Sequence, residues 1–340
     1  MGLGLRGTAN NPASPPYTQG PYTWDQHVTF SGGVSGLNTS GDVIYVDGTN
    51  GSDGNTGLSW TEAKSTIQAA VTLAGAKGTV YVAPKAMAAG ATDPGSYEEN
   101  VIIPATHESL SIIGVNRGRT QGGLPQMKDG SGTTTAILII RSPGCLIQNM
   151  GFNGAGNTGG GISLDDDAST KSAFGTTITG CHFKNCKGHA TNGTLGGAIM
   201  WAIGGAWQVY ITNNTFYKCV CDICLIGTGT SVPQDVVIAN NVFSAPVASV
   251  DVNLYLAGGS GMASVTVDNN VFPSALPAIG SGTVTRYADM TGCSGIFSNN
   301  TFGGSYTTTG FGAAKAAAKL PTTVGISHNY SDAGLIVREA

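Results

Sequence analysis

The chain has 340 residues and is poor in charge, since Asp, Glu, Lys and Arg together make up 11% of it, while 52 residues are Gly. A globular protein usually carries about 25% charged residues, so an ordinary helical bundle is not expected. Sixteen basic and twenty acidic residues give a formal charge of −4, and the sequence contains no cluster of Lys and Arg. We therefore expect neither nucleic acid nor an anionic membrane as a partner.

The N-terminal sequence and the cysteines indicate where the protein is made. The chain opens with Met-Gly-Leu-Gly-Leu-Arg, which lacks the charged start and apolar stretch of a secretory signal. The longest aliphatic run, 136–140, is far too short to cross a bilayer. Seven cysteines are an odd number, which favours reduced thiols. We expect a soluble protein made in the cytoplasm, with free and mostly buried thiols.

Residues 1–41 differ in composition from the rest of the chain. Pro and Gly interrupt any periodic pattern there, and the segment cannot bury a core of its own. Four aromatic residues are scattered through it: Tyr17, Tyr22, Trp24 and Phe30. We predict an extended N-terminal arm that docks on a partner through these aromatics, followed by one domain over 42–340.

A helix is predicted at about 60–76. The stretch 59–62, Ser-Trp-Thr-Glu, matches a capping box, and apolar residues follow at helical spacing at Ile67, Ala70, Val71 and Ala74. An open end of a repetitive β structure exposes core and unpaired strand edge. The helix is therefore expected to cap the first coil.

One pattern recurs from about residue 145 onward: a hydrophobic alternation, then Asn, then an aromatic residue three positions later. The aromatics are spaced by about 30 residues, at Phe152, Phe183, Phe216, Phe243, Phe272, Phe302 and Tyr330. Alternation with a period of two and punctuation by Gly predict strands and turns. A propeller blade needs a longer repeat. The sequence predicts an all-β, single-stranded parallel solenoid with coils over about 80–337.

Stacked coils place equivalent side chains in columns about 4.8 Å apart. One predicted column, Asn213, Asn240, Asn269 and Asn299, lies at a turn, where Asn takes a left-handed backbone angle and hydrogen-bonds its neighbours above and below. The recurring aromatics are expected to form an internal stack. Farther along, 313–320 is rich in Ala and Lys and is strongly helix-forming.

The N-terminal motifs resemble a known family. The stretches 45–47 (Tyr-Val-Asp), 50–54 (Asn-Gly-Ser-Asp-Gly), 67–71 and 80–84, the pattern Gly95-x-Tyr97-x-Glu99 and the pair Ile112-x-Gly114 are similar to the cap and first coils of pectate-lyase-like right-handed parallel β-helix proteins. The chain looks most like the phage structural and tailspike-type members. The resemblance covers roughly 42–332 and implies the fold. It does not choose an activity, because lyases, hydrolases, esterases and non-enzymatic phage proteins share these motifs.

The densest acidic site is Asp165-Asp166-Asp167, at the edge of a coil. In the pectate-lyase-like enzymes acidic residues on coil faces bind calcium or act as an acid and base pair. Alternate side chains of three adjacent residues point in opposite directions, so at most two converge without help from the next coil. Lys171, His182 and His189 are the candidates to supply it. A solvated turn is the favoured interpretation, and a catalytic or calcium site is the alternative.

The segment Cys219-Val-Cys221-Asp-Ile-Cys224 invites a zinc interpretation. In a strand Cys219 and Cys221 share one face and Cys224 lies on the other, so filling of the interior by small side chains is favoured. We expect no metal there and no cofactor elsewhere.

Two functions remain open. The favoured one is a non-enzymatic virion protein of a bacterial virus, a capsid decoration, spike or fibre component that binds other virion proteins through the arm, forms a homo-oligomer, preferably a trimer, and contacts a host glycan. The alternative is a polysaccharide lyase or hydrolase acting along the coil face, located outside the cell.

Overall fold

The structure is a computed structural model and describes residues 40–91, 95–116, 118, 123–129, 136–154, 160–165, 172–186, 197–201, 207–225, 233–243, 253–256, 262–272, 288–302, 318–331 and 334–336. Within them the chain forms one α-helix, one 3-10 helix and strands numbered β1 to β27 in chain order. The predicted arm lies outside the described residues except for its last two positions, and so do its four aromatics.

The strands form three sheets that the chain visits in turn, and all pairs of these strands are parallel except the last one. The first sheet has ten strands, each paired with the corresponding strand of the next coil. In spatial order it contains β1 (Val43–Val46), β2 (Thr79–Val82), β5 (Ser111–Gly114), β8 (Leu146–Gln148), β11 (Thr177–Thr179), β14 (Tyr210–Thr212), β17 (Val237–Ala239), β19 (Val265–Asp268), β22 (Gly295–Ser298) and β25 (Val324–Ser327).

The second sheet follows the first after a short turn and is formed in two parts. Bridges through Val242 connect the parts, since Val242 pairs with both Thr215 and Val271. The earlier part contains β3 (Ser96–Glu98), β6 (Gln126–Lys128), β9 (Gly151–Asn153), β12 (His182–Lys184) and β15 (Thr215–Tyr217), and the later part contains β20 (Val271–Phe272), β23 (Thr301–Phe302), β26 (Asn329–Ser331) and β27 (Gly334–Ile336).

The third sheet completes each coil with eight short strands. They are β4 (Val101–Ile103), β7 (Leu138–Ile140), β10 (Ile162–Leu164), β13 (Ile199–Trp201), β16 (Ile223–Cys224), β18 (Leu254–Tyr255), β21 (Ala288–Asp289) and β24 (Ala318–Lys319). The structure describes only residues 318–320 of the helix-forming sequence 313–320, and Ala318–Lys319 form a strand there. Pairing of Ala318 with Ala288 extends the sheet by this strand. Repetition of the three sheets confirms the predicted parallel β-helix.

The aromatic column forms the interior as predicted. Neighbouring rings have centroids 4.7–5.1 Å apart and are nearly parallel, and all of them are buried. Offset or stacked aromatic pairs add about 0.5–1.5 kcal/mol beyond area burial. The column contains Phe152, Phe183, Phe216, Phe243, Phe272 and Phe302.

Tyr330, the predicted seventh member, is not in this stack. It pairs with Thr301, while Ser331 pairs with Phe302, and 48% of Tyr330 is exposed. The reason is the position of Asn329, whose side-chain oxygen accepts a hydrogen bond from Asn300 and so fixes the register. The aromatic follows this Asn directly instead of two residues later, and side chains alternate between the two faces of a strand.

The Asn turn lies between the first and second sheets. Asn213, Asn240, Asn269 and Asn299 have φ between 51° and 59°, which confirms the predicted left-handed conformation. The continuous buried ladder belongs to the next residue in each coil, however, because the left-handed residue bends the chain between the two sheets and turns its successor inward. These successors, Asn214, Asn241, Asn270, Asn300 and Asn329, are buried and linked by side-chain hydrogen bonds of 3.0–3.1 Å.

The predicted helix over 60–76 is two separate elements. Ser59 caps a 3-10 helix, Trp60–Glu62, and Thr66 caps α1, Ile67–Ala74. Between them Lys64 forms a parallel bridge with Val46, and its N–H bonds to the carbonyl of Tyr45. This pairing requires extended backbone and interrupts the helix. The apolar positions of α1 are buried as predicted: Ile67, Ala70, Val71 and Ala74.

The family-like motifs attach this cap to the first coils. The Glu99 carboxylate accepts hydrogen bonds from the N–H groups of Ile67 and Gln68 at the start of α1, at 2.8 and 2.9 Å. The Tyr97 hydroxyl donates to the carbonyl of Ala83 at 2.7 Å and accepts from the N–H of Gly48 at 3.0 Å. The motif residues are thus structural.

Both ends of the coil series differ slightly from the predicted bounds of 80–337. The first sheet begins earlier, because β1 pairs with β2 in register, Val43 opposite Thr79. The last described strand, β27, runs antiparallel to β26, so the second sheet ends on a hairpin. No helix among the described residues is long and apolar enough to span a membrane.

Candidate functional site

The outer face of the second sheet carries a polar row that crosses several coils. The first residues of its strands are in register, so that Gln126, Gly151, His182 and Thr215 lie side by side. His182 Nδ1 and Thr215 Oγ1 are 2.7 Å apart, within hydrogen-bond distance. Gln126 Nε2 donates to Ser96 Oγ at 2.7 Å. The row places amide, imidazole and hydroxyl groups on consecutive coils, and Gln126 and His182 in it are buried.

A second row lies two residues farther along the same strands. It contains Lys128, Asn153, Lys184 and Tyr217 in register. Lys128 Nζ forms an ion pair with Glu98 Oε1 at 2.8 Å. The Lys218 ammonium lies 5.2 Å from the centre of the Tyr217 ring, a cation–π contact. The two rows in β6, β9, β12 and β15, together with Ser96 and Glu98 of β3, form a surface called the polar face.

Gly151 makes a gap in the polar face. It has no side chain between those of Gln126 and His182, and a Cβ placed there would lie 3.4 Å from the Cα of Gln126. The notch at Gly151 is edged by hydrogen-bonding groups, and Gly151, Gln126 and His182 are all buried. The sequence signal for this notch was only a Gly directly before Phe152, which is not specific.

Asp165 lies on a different part of the coil from His182. It follows β10 in the third sheet, and its Oδ2 accepts from Arg141 Nε at 3.2 Å. Arg141 follows β7, the neighbouring strand, so the ion pair joins two consecutive coils. His182 belongs to the second sheet. The structure therefore places these two candidates in separate contacts. Asp166, Asp167 and His189 lie outside the described residues.

The cysteine segment 219–224 is not the single continuous strand that its prediction assumed. Strand β15 ends at Tyr217 and β16 is Ile223–Cys224. Cys219 and Cys221 therefore lie between the two strands, where strand alternation does not apply, and Cys224 lies in β16. Cys219 contacts Cys186 on the neighbouring coil, and Cys221 contacts Cys224. All seven cysteines are free and buried, as predicted. Among the described residues no three His, Cys, Asp or Glu side chains are grouped to hold a metal ion.

A buried carboxyl, Asp222, was missed by sequence analysis. The residue is fully buried, and its Oδ2 accepts a hydrogen bond of 2.6 Å from Asn253 Nδ2 on the next coil. Burial raises the pKa of Asp222 well above its ordinary value of 3.8, although hydrogen bonds from Asn253 and Cys219 oppose the shift. The sequence feature that could have revealed this buried acid was an Asp inside an apolar, Cys-rich run. This arrangement indicates a structural contact between coils rather than an exposed acid.

No protein-family model matches the chain, and no curated protein matches it. Solved structures are similar to it at low identity. A protein described as Geobacillus virus E2 ORF18 is 13% identical, with 75% of this chain and 54% of that chain covered and a TM-score of 0.47. The chain thus spans about half the length of that viral protein.

Two further similar structures come from cellular organisms. The Escherichia coli protein ybhc is 12% identical, with 95% and 90% of the two chains covered and a TM-score of 0.37. A pectin methylesterase from Aspergillus niger is 11% identical, with 88% and 87% covered and a TM-score of 0.38. The sheet topology of the chain itself defines its fold. It is a right-handed parallel β-helix.

Proposed function

We propose that this chain is a non-catalytic structural protein of a bacterial virus particle, in which the β-helix acts as a rigid surface scaffold. The observation that carries the scaffold role is the pair of interior columns. The phenylalanine stack and the Asn ladder extend from coil to coil, side by side, over Phe152–Phe302 and Asn214–Asn329.

These columns couple each coil to its neighbours. In a repeat protein stability is approximately a sum of terms within each repeat and terms between adjacent repeats. Opening one coil here breaks two aromatic contacts and two side-chain links of the ladder, as the pairs on both sides of Phe243 and Asn241 illustrate. A scaffold that must hold its form outside a cell benefits from this coupling.

The two candidate site residues that the structure describes, Asp165 and His182, also support the scaffold role. Asp165 is used in an ion pair with Arg141 between two coils, and His182 contacts Thr215 between two others. Each contact joins adjacent coils, which is the function that structural side chains perform in a solenoid.

The virion part of the proposal comes from the sequence. The motifs of the cap and first coils resemble those that phage structural proteins share with β-helix enzymes, and the segment 1–41 has scattered aromatics suited to docking. We propose that Tyr17, Tyr22, Trp24 and Phe30 bind other virion proteins, that the protein is a homo-oligomer, preferably a trimer, and that it is made in the host cytoplasm and resides in the virion.

Incorporation into particles tests this proposal. In full-length chains, the double change Trp24→Ala and Phe30→Ala should reduce incorporation at least tenfold, because it removes half of the proposed docking aromatics. The matched change Asp165→Ala with Asp167→Ala should leave incorporation unchanged. Normal incorporation of the aromatic variant would contradict the role of the arm.

A second candidate function is cleavage of a polysaccharide, with a host glycan as the substrate class. The observation that favours it is the polar face, where Gln126, His182 and Thr215 lie in register beside the gap at Gly151. The test is cleavage of surface polysaccharide by the purified chain, with His182→Ala and the distant control Asp268→Ala. Cleavage that only the His182 change abolishes would replace the structural proposal by the enzymatic one.

A further inference from the structure

Two cysteines occupy the same position on consecutive coils. Cys186 and Cys219 each follow the second-sheet strand of their coil, and these two strands, β12 and β15, are paired in register. Each cysteine comes directly after a residue in the left-handed conformation, Asn185 or Lys218, with φ 53° in both cases. The N–H of Val220 donates to the carbonyl of Cys186 at 3.0 Å, so the pairing of the coils continues through both cysteines. The backbone therefore follows the same path at the two cysteines.

The two thiols have the same orientation and touch each other. The Sγ of Cys186 lies 3.6 Å from the carbonyl oxygen of Lys184, and the Sγ of Cys219 lies 3.7 Å from that of Tyr217, the paired residue. The Cys219 thiol contacts the Cys186 thiol, and both residues are buried. Equivalent Cα atoms of neighbouring strands are about 4.8 Å apart, and disulfides join Cα atoms about 4.4–6.8 Å apart. The backbone thus has the spacing of a bridge, and rotation about a Cα–Cβ bond turns one sulfur toward the other.

A second pair of thiols in contact, Cys221 and Cys224, is placed differently. Both belong to one coil, and Cys224 is held within β16, which pairs with a strand on each side. The Sγ of Cys221 lies 3.6 Å from the carbonyl oxygen of Asn253 on the next coil. A disulfide constrains the unfolded chain more when the loop that it closes is longer. A bridge between Cys186 and Cys219 closes a whole coil, so it is the pair whose oxidation stabilises the solenoid.

We propose that Cys186 and Cys219 form an oxidation site, at which a hydroperoxide converts the two thiols into a disulfide that joins consecutive coils. With hydrogen peroxide, one sulfur attacks a peroxide oxygen, the O–O bond breaks, and a sulfenic acid and a water form. The second sulfur then attacks the sulfenic sulfur. The S–S bond forms, the S–O bond breaks, and the hydroxyl leaves as water with the proton of the second thiol. The two thiols lose two electrons, which reduce one peroxide to two waters.

Burial determines when this bridge forms. Burial, the neighbouring Cys186 thiol and the Asp222 carboxylate raise the pKa of Cys219 well above its ordinary value of 9.0, and the thiolate is the reactive species. Oxidation of the folded chain is therefore slow and depends on local opening of the coil. The pair stays reduced in a reducing compartment and becomes a covalent link between coils in an oxidising medium.

This inference does not depend on the proposed virion role, and peptide mapping of the oxidised full-length chain tests it. The chain is purified in reductant, incubated with hydrogen peroxide below its unfolding temperature, and alkylated in denaturant. Of the seven free thiols, five should remain, and the other two should be found in linked peptides that contain Cys186 and Cys219. The unfolding temperature should rise by several degrees, because the bridge constrains the unfolded chain. Seven remaining thiols, a bridge between any other pair, or sulfinic acids at these two residues would overturn the proposal.

Two alanine variants separate the bridge from other effects of the oxidant, and the mapping of the wild-type chain does not depend on how they fold. Cys219→Ala has six thiols, and all six should survive oxidation with no rise in the unfolding temperature. The matched control, Cys293→Ala, removes a buried thiol from another coil and should fall from six thiols to four, with the same rise as the wild type. Loss of two thiols from Cys219→Ala, or survival of all six in the control, overturns the proposal.

Discussion

Asn241 and Asn270 lie on consecutive coils, and a single atom connects them twice: Asn270 Oδ1 accepts hydrogen bonds from the backbone N–H and from the side-chain Nδ2 of Asn241, both at 3.0 Å. Asn270 makes the same two contacts to Asn300 Oδ1, at 2.9 and 3.0 Å. Its Nδ2 also donates to the carbonyl of Ile238 at 3.0 Å. Each Asn thus satisfies buried polar groups on three coils.

Replacing Asn270 by Ala should lower the free energy of unfolding by about 2–4 kcal/mol. The change leaves the donors of Asn241 without their acceptor inside the solenoid, and an unsatisfied buried polar group costs about 1–3 kcal/mol. Denaturant unfolding monitored by circular dichroism measures the effect.

The adjacent residue supplies the control for that experiment. Asn269 is exposed at the surface of the same turn and has φ 51°, a conformation that Gly adopts without strain. We expect Asn269→Gly to change the free energy of unfolding by less than about 1 kcal/mol. Equal losses for the two variants would show that the turn as a whole, rather than the buried ladder, supplies the stability.

Truncation of Phe216 to Ala should destabilise the protein by about 3–5 kcal/mol, the usual range for a buried Phe. The ring stacks on Phe183 at 5.0 Å and on Phe243 at 5.1 Å, so its loss leaves a cavity between two coils. Tyr217→Ala is the matched control, since 40% of Tyr217 is exposed. Thermal unfolding that does not distinguish the two variants would argue against the internal stack.

The stability should fall as pH rises through the titration of Asp222. Burial raises the pKa of this carboxyl well above 3.8, so the folded state holds a proton that the unfolded state has already released. The contribution is present below pH 3.8 and is lost as pH rises toward the folded pKa. Asp222→Asn keeps an acceptor for Asn253 and should flatten the decline. Burial also raises the pKa of Glu99, so part of the slope should remain.

The change of stability with pH that we expect from Asp53 has the opposite sign to that from Asp222, so Asp53 serves as the comparison. Burial acts to raise its pKa, but hydrogen bonds from Ser65 and Thr66 outweigh burial and hold the pKa below 3.8. Its contribution is present above pH 3.8 and is lost as pH falls through the lower folded value. Asp53→Asn should therefore reduce acid sensitivity, while Asp222→Asn changes the slope at higher pH. Parallel stability profiles for wild type and both variants would contradict these assignments.

The thiols should be unreactive in the folded protein and fully reactive after unfolding. Burial raises the pKa of Cys145 and Cys181 to about 12 and that of Cys293 to about 11, and the reactive species is the thiolate. Titration with a chromogenic disulfide at pH 8 should detect almost no thiol in the native chain and seven in denaturant without reductant. Recovery of five or fewer in denaturant would reveal a bridge.

The sequence predicted the features that repeat. The spacing of Phe152 to Phe302 identified the stack and the solenoid, because equivalent positions on successive coils must share one environment. The left-handed turn residues were also found, since Asn is among the few residues other than Gly that adopt positive φ readily. The burial of the cysteines followed from their small apolar character.

Features set by contacts between distant segments were not predicted. The continuous buried ladder is one residue after the predicted column, because two adjacent Asn residues look equivalent in sequence and only the turn geometry separates them. Pairing of Lys64 with β1 breaks the helix, and the register at Asn329 moves Tyr330 outward. The candidates Asp165 and His182 were separable only once the sheets were known, because Asp165 follows a strand of the third sheet and His182 begins a strand of the second.

Mass spectrometry of gradient-purified particles of the bacterial virus proposed as the source tests the virion scaffold most directly. If the chain is a virion scaffold, intact chain co-sediments with the particles at a constant number of copies per particle, and the purified chain does not cleave host polysaccharide. Absence of the chain from washed particles, combined with cleavage of polysaccharide by the free protein, would contradict the account.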